Sequence, residues 1–285
     1  MKEAEAKTEQ EQAERREEIE KSLRKTYRRD IMSKFAKAID QYELLSPGDH
    51  VAVCISGGKD SMLMAKCFQE LKRRNKIPFE LTFLCMDPGY TDETLAMIRH
   101  NAGLLGIPLD IFQTQIFDAV DRIEQSPCYL CARMRRGHLY NEAKKRGCNK
   151  IALAHHYDDV IETTLMSILM SGQVQTMMPK LHSTNFEGME LIRPMYLIRL
   201  KDIERWRDAN DLEFIRFACH FTAELARGDS ETESKRVEVR ELIAELKKKN
   251  ENVEGNLFKS MENVHIDAVL GYKLRGEKHS FLDDY

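Results

Sequence analysis

Six short runs of mainly apolar residues punctuate the middle of the chain: 50–55 (HVAVCI), 80–86 (ELTFLCM), 108–113 (PLDIFQ), 150–154 (KIALA), 189–193 (MELIR) and 213–217 (EFIRF). Their length and bounding turn residues predict strands. Between them, polar and apolar positions mix at helical spacing over 60–74, 92–105, 129–146, 159–171 and 199–210. Short apolar strands separated by helices predict an α/β fold, a mostly parallel sheet with helices on both faces. In such sheets ligands gather beyond the carboxyl ends of the strands.

The flanks follow a different pattern. Residues 1–29 are dominated by Glu, Lys, Arg, Gln and Ala with no Gly or Pro, which predicts an exposed or frayed helix laced with i,i+4 pairs. A second helix over about 31–44 carries Ile31, Phe35, Ala38 and Ile39 and is expected to pack on the body. Residues 224–250 read as charged and helical, and 251–285 as a polar, mobile tail. The expected organisation is a helical extension at 1–45, a central domain at 46–223 and a charged helical tail at 224–285.

Composition narrows the function class. The chain has 285 residues, 42% of them hydrophobic, and 44 basic against 47 acidic side chains give a net charge of −3. That excludes nucleic-acid binding through global charge and leaves a local basic patch open. No apolar run approaches the ~20 residues that cross a bilayer. The start MKEAEAKTEQEQ has no apolar leader segment. A cytoplasmic protein with no membrane partner is expected. The seven cysteines are odd in number, and only Cys128 and Cys131 stand close together, which fits a reducing compartment better than a disulfide framework.

The chemistry-bearing segment is Ser56–Gly57–Gly58–Lys59–Asp60–Ser61, after an apolar run and at a helix start. Two glycines let the backbone turn sharply and approach a phosphate. The helix start adds free N–H groups and a positive dipole end, Lys59 a charge, and the serines hydroxyl donors. The Gly-to-Lys spacing is too short for GxxxxGK[ST]. A simple turn with Asp60 as helix cap does not account for the whole hexapeptide.

Ala154–His155–His156–Tyr157–Asp158–Asp159 closes another run and begins a helix. Tandem histidines there suit phosphates, and the acids suit Mg²⁺. A capping box, with Asp159 as cap and Glu162 reaching back, is the structural alternative. Cys128–Tyr129–Leu130–Cys131 sits at a helix start beside arginines, both of which lower thiol pKa. By itself it suits a redox pair, half a zinc site or iron–sulfur ligands. The stretch from Ala132 to Lys150 holds seven cations, Arg133, Arg135, Arg136, Lys144, Lys145, Arg146 and Lys150, against Glu142, a local charge of +6. So one-sided a helix predicts an RNA-binding face. Cys54, Cys67 and Cys85 read as small buried hydrophobes.

The hexapeptide resembles the signature of the N-type ATP pyrophosphatases, or PP-loop enzymes. With PCYLCARMRRGHLY, KIALAHHYDDVIET, Pro179–Lys180–Leu181, Ile192–Arg193–Pro194 and Cys219, the chain is similar to the TtcA-type tRNA 2-thiocytidine synthetases. The resemblance implies a PP-loop fold and ATP held by Ser56, Gly57, Gly58, Lys59, Asp60, Ser61, Met86 and His155. It implies catalytic roles for Lys59, Asp60 and Asp159, and Mg²⁺. A [4Fe–4S] cluster would sit on Cys128, Cys131 and Cys219. Many relatives carry two cysteines near the last ligand, where this chain reads Phe217–Ala218–Cys219–His220. The implied reaction is ATP-dependent thiolation of a tRNA cytidine, in the anticodon loop, with sulfide from a cysteine desulfurase or another donor. A homodimer is compatible with this family. Three other readings stand beside it: a lysidine synthetase, which needs no cysteines; a persulfide-type thiolase; and a non-catalytic nucleotide- or iron-sensing RNA-binding module.

Overall fold

The computed structural model describes residues 2–116, 127–215 and 231–283. They form two compact units, one comprising residues 1–159 and 178–233, the other 160–177 and 234–285.

The larger unit is built on a six-stranded sheet. Its strands are β1 (His50–Ile55), β2 (Glu80–Asp87), β3 (Leu109–Gln113), β4 (Lys150–Ala152), β5 (Lys180–His182) and β6 (Glu190–Ile192), in the order β3-β2-β1-β4-β6-β5. All pairings are parallel except β5 with β6. Along β1 the side chains alternate between two cores. Val51, Val53 and Ile55 join one that includes Phe68 and Trp206, and Ala52 and Cys54 join another with Leu84, Tyr140 and Ile151. Both faces are thus buried, which is why the strand reads as nearly continuous apolar sequence.

Helices α1 (Lys2–Arg24), α2 (Ser33–Gln41), α3 (Lys59–Arg73), α4 (Asp92–Leu105), α5 (Pro127–Lys145), the start of α6 (Tyr157–Ser171) and α7 (Leu200–Ala209) belong to this unit. The N-terminal helix corrects the expectation of an exposed one. Ile19 and Leu23 have no exposed surface, and they share a core cluster with Phe35 and Phe68. Arg16 also donates to the carbonyls of Gly103 and Leu104, at the end of α4. Between α1 and α2 the backbone makes a π-helical turn over Arg28–Met32, with Ile31 and Met32 buried.

The run 213–217 is not a strand where it is described. Leu212–Ile215 are irregular backbone with no ladder partner. Asn101 Nδ2 donates to the Glu213 carbonyl at 2.9 Å and ties the segment to α4. Conversely, the antiparallel edge strand β5 has no expected counterpart.

The smaller unit contains the rest of α6, α8 (Glu231–Lys249, from Ser234), α9 (Val253–Ser260) and a hairpin of β7 (Gly271–Leu274) and β8 (Glu277–Ser280). Residues 251–283 are therefore structured and do not form the expected mobile tail. Val239, Ile243 and Phe258 are buried, and Arg240 Nε meets Glu162 Oε1 at 2.8 Å.

Candidate functional site

The sheet order reverses between β1 and β4: β2 and β3 build outward from one side, β6 and β5 from the other. A crevice outside the carboxyl ends of these two strands is the expected ligand position. The SGGKDS loop leaves β1 here, and the His155–His156 segment leaves β4.

The loop is held by its own hydroxyls. Ser61, buried at the first turn of α3, accepts from the Ser56 amide at 3.1 Å and donates to the Gly58 carbonyl at 3.0 Å. Its Oγ also lies 3.1 Å from Ser56 Oγ. Gly57 has φ +85°, and a Cβ there would stand 2.6 Å from Ile98 and 2.8 Å from Ile215. Only glycine suits this position. Gly58 caps α3 without any side-chain hydrogen bond, leaving the positive end of the helix directed at the crevice.

Ser56, Gly58, Lys59 and Asp60 line a cavity of about 760 Å³, closed by Met97, Glu204, Arg207, Asp208 and Leu212–Ile215. This volume is in the range of small-molecule sites. Lys59 Nζ lies 3.2 Å from Asp60 Oδ2, while the buried Asp60 Oδ1 has no hydrogen-bond partner among the described residues. A buried carboxylate oxygen left unpaired is costly, and it is what a divalent cation would satisfy. The glycine cradle, the cation and the orphaned oxygen together fit a triphosphate and Mg²⁺. No motif in the sequence marks the opposite wall. Glu204, Arg207 and Asp208 lie on an ordinary-looking charged helix.

Three other expected nucleotide residues are not in this cavity wall. Met86 is buried at the end of β2 beside Ile116. His155 Nδ1 accepts from Arg193 Nε at 3.3 Å, and the buried Arg193 also donates to the Met178 carbonyl. Burial, reinforced by the charge of Arg136, pulls the Arg193 guanidinium down to about 10. Asp159 Oδ2 accepts from the His156 amide at 2.9 Å, and the Asp159 amide points back to His156 Nδ1 at 3.4 Å. The capping box is thus real but shifted three residues toward the N-terminus: His156 caps and Asp159 reaches back. Glu162, expected to reach back, instead pairs with Arg240. Asp158 binds the Leu200 amide at 2.7 Å and Arg199, securing the start of α7.

The basic stretch divides on inspection. Lys150 is buried, 3.1 Å from Asp49 and 2.6 Å from Glu190, and it donates to the Leu44 carbonyl. Burial alone would raise the Glu190 carboxyl, but Lys150 outweighs it and holds that carboxyl below its ordinary value. Lys150 therefore leaves the expected RNA face. Lys145 and Arg146 both pair with Glu142, Arg146 also with Asp110, and Arg135 donates to the Tyr90 hydroxyl. Arg133, Arg136, Lys144 and Lys145 are exposed, and of these Lys145 is the one paired with Glu142.

Cys128 and Cys131 lie three residues apart at the start of α5; Cys219 lies outside the described residues. Cys54, Cys67, Cys85 and Cys148 are buried free thiols. Burial pushes Cys54 and Cys85 up to about 12, and raises Cys67 and Cys148 as well. Among the described residues, no cluster of three or more His, Cys, Asp and Glu could hold a metal ion. Among them too, no helix is long and apolar enough to cross a membrane.

The PP-loop domain family matches residues 23–227. The tRNA-cytidine(32) 2-sulfurtransferase of Anaeromyxobacter dehalogenans is 33% identical over 239 residues, 83% of this chain and 79% of that protein. Its counterpart in Coxiella burnetii is 32% identical over 246 residues, covering 84% and 91%. Among solved structures, the U34-tRNA thiolase NcsA from Methanococcus maripaludis, with its [4Fe-4S] cluster, superposes with a TM-score of 0.63 at 21% identity, over 81% of this chain and 76% of that one. That likeness bears on the fold.

Proposed function

We propose, for a chain that belongs to the PP-loop family and within it to the tRNA-cytidine(32) 2-sulfurtransferases, ATP-dependent thiolation of a cytidine in the tRNA anticodon loop. The observation that carries this reading is the SGGKDS loop at the point of strand reversal, opening on a cavity that fits a nucleotide. The cytidine C2 oxygen attacks the α-phosphate of ATP, and pyrophosphate leaves with the bond electrons. Sulfide then adds at C2, and the oxygen departs on AMP. Lys59 and the start of α3 neutralise phosphate charge as it shifts toward pyrophosphate. Ser61 keeps the loop closed, so this arrangement exists before the substrate arrives.

Asp60 Oδ1 would help to hold Mg²⁺, which spreads the phosphate charge when bound. Cys128, Cys131 and Cys219 would hold a [4Fe–4S] cluster, which would supply the sulfide for transfer when bound. The four buried thiols support this assignment, because raised pKa values make them poor ligands. A cytoplasmic setting with a desulfurase as sulfide source suits the oxygen sensitivity of such a group.

Lys59→Ala tests the reading directly. AMP release in the presence of tRNA and sulfide is expected to fall about a hundredfold or more, the usual effect of removing a group that stabilises developing charge. A wild-type rate would overturn the ATP assignment. The basic helix carries a second test. Arg133→Ala with Arg136→Ala should weaken tRNA binding and lower its salt slope by about 0.9 per lost phosphate contact. Lys145→Ala should leave that slope unchanged, since Glu142 already engages Lys145. Equal slopes in all three proteins would return this helix to a solvated surface.

A further inference from the structure

The β7–β8 hairpin in the smaller unit carries an unusual combination. Tyr272 stands opposite His279, and Lys273 opposite Lys278. The Tyr272 and His279 rings stack with centroids 4.7 Å apart and planes 12° from parallel. Tyr272 keeps 39% of its surface exposed. On the other face two lysines meet directly across the strands, an arrangement that destabilises an isolated hairpin. The turn places Arg275 at its tip, with φ +51° there and +91° at Gly276. Lys273, Arg275 and Lys278 are exposed, and none has an ion-pair or hydrogen-bond partner among the described residues. Glu277 is the one acid in the hairpin, and Asp283 is occupied in accepting from the Ser280 amide at 2.7 Å.

A like-charge pair kept at the expense of stability, with an accessible aromatic stack on the opposite face of the same hairpin, calls for a polyanion with flat faces. We propose that this hairpin is an RNA-binding element that grips the tRNA substrate. Phosphates lie on Lys273, Lys278 and Arg275, and an unpaired base lies against the Tyr272–His279 stack. Stacking on aromatic side chains is how proteins hold splayed bases, and it tolerates many sequences. An acidic protein surface would use the cations but leave the stack without a purpose. This inference rests on the tRNA reading above and adds a contact to it that lies apart from the nucleotide loop in the sequence.

The experiment is equilibrium binding of unmodified tRNA to the full chain across a salt series. K273Q/K278Q should weaken binding about tenfold and lower the salt slope by roughly 2, one increment per lost phosphate contact. Its melting temperature should hold or rise, because the like-charge pair is gone. Tyr272→Ala should weaken binding about fivefold or more with an unchanged slope, and Tyr272→Phe should restore it, since the ring and not the hydroxyl supplies the stack. ATP binding should be unaffected in every variant. Wild-type affinity and slope in K273Q/K278Q overturn the hairpin proposal and leave the thiolase reading standing. Should the substitutions release the protein from phosphatidylserine vesicles but not from tRNA, the hairpin is a lipid-binding element and the proposal falls. If the wild-type chain does not bind tRNA at all, both readings fail, and that result precedes any variant.

Discussion

Replacing Gly57 by alanine is expected to abolish tRNA-dependent AMP release, even though no charge or hydrogen-bonding group is removed. The new Cβ would have to occupy a left-handed backbone position at φ +85° while pressing on Ile98 and Ile215 at 2.6 and 2.8 Å. The conformational cost is about 1–3 kcal/mol, and overpacking adds a similar amount, ~1–3 kcal/mol. A loop held by a few hydroxyl contacts cannot absorb this without shifting Ser56 and Gly58. ATP binding and AMP formation should therefore fall together by about a hundredfold or more, with a lower melting temperature. Gly58→Ala is the matched control. No φ strain applies there, and its Cβ would meet only the Ser56 hydroxyl at 3.7 Å and the Ile215 carbonyl at 3.8 Å, so it should retain far more activity. If Gly57→Ala forms AMP at the wild-type rate, the loop geometry is not what positions ATP.

Alanine at Cys128, Cys131 or Cys219 should separate the two halves of the reaction. Each single substitution is expected to eliminate thiolation and the oxygen-sensitive brown chromophore together, while ATP binding survives. The loop follows β1 and two of these cysteines sit on α5, so their removal need not disturb it. Alanine at Cys54 or Cys85 should cost only packing, about 1–2 kcal/mol, with the chromophore kept. Anaerobic absorbance, iron and sulfide content, and thionucleoside yield measure all of this in one set of preparations. Thiolation by iron-stripped protein, with sulfur recovered covalently on a cysteine, would replace the cluster with a persulfide route.

Local pattern exposes some features of this fold and conceals others for definite reasons. The strand β1 and the second half of β2 are buried on both faces, so their sequence is nearly continuously apolar and easy to find. The segment 213–217 has the same composition for a different reason. Leu212, Phe214 and Ile215 are apolar because they wall the cavity, Ile215 against Gly57, and among the described residues no strand ladder pairs with them. Composition cannot separate those two uses. The N-terminal helix hid its buried face because Ile19 and Leu23 are sparse among charges. Several of those charges are engaged with the core as well: Lys66 is buried and salt-bridged to Glu20 at 2.7 Å.

The site followed the same division. The glycine-rich loop was legible because its chemistry is local and contiguous. Roles that depend on distant partners were not. Lys150 belongs to Asp49 and Glu190, and Glu162 to Arg240, from about 40 to about 100 positions away. In the histidine segment the cap falls on His156, with Asp159 reaching back, three residues before the expected position. Whether Asp159 caps its helix or faces a ligand depends on where that helix begins, and it begins at Tyr157.

The sheet order also governs how the chain is made. β1 joins β2 across some 30 residues, but its other edge waits for β4, with Val51 paired to Lys150. At ~5–20 residues per second on the ribosome, that interval is about 5–20 s. During it β1 presents an open apolar ladder edge, the kind that recruits stray strands. The core on one face can assemble early, because α1, α2 and α3 have already been synthesised and contribute Ile19, Phe35 and Phe68 to it. The other face has no such cover, since Tyr140, Ala143 and Ile151 are late arrivals. Slow synthesis between β2 and β4 would therefore lower soluble yield more than slow synthesis after β6, because by then both flanks of β1 are closed.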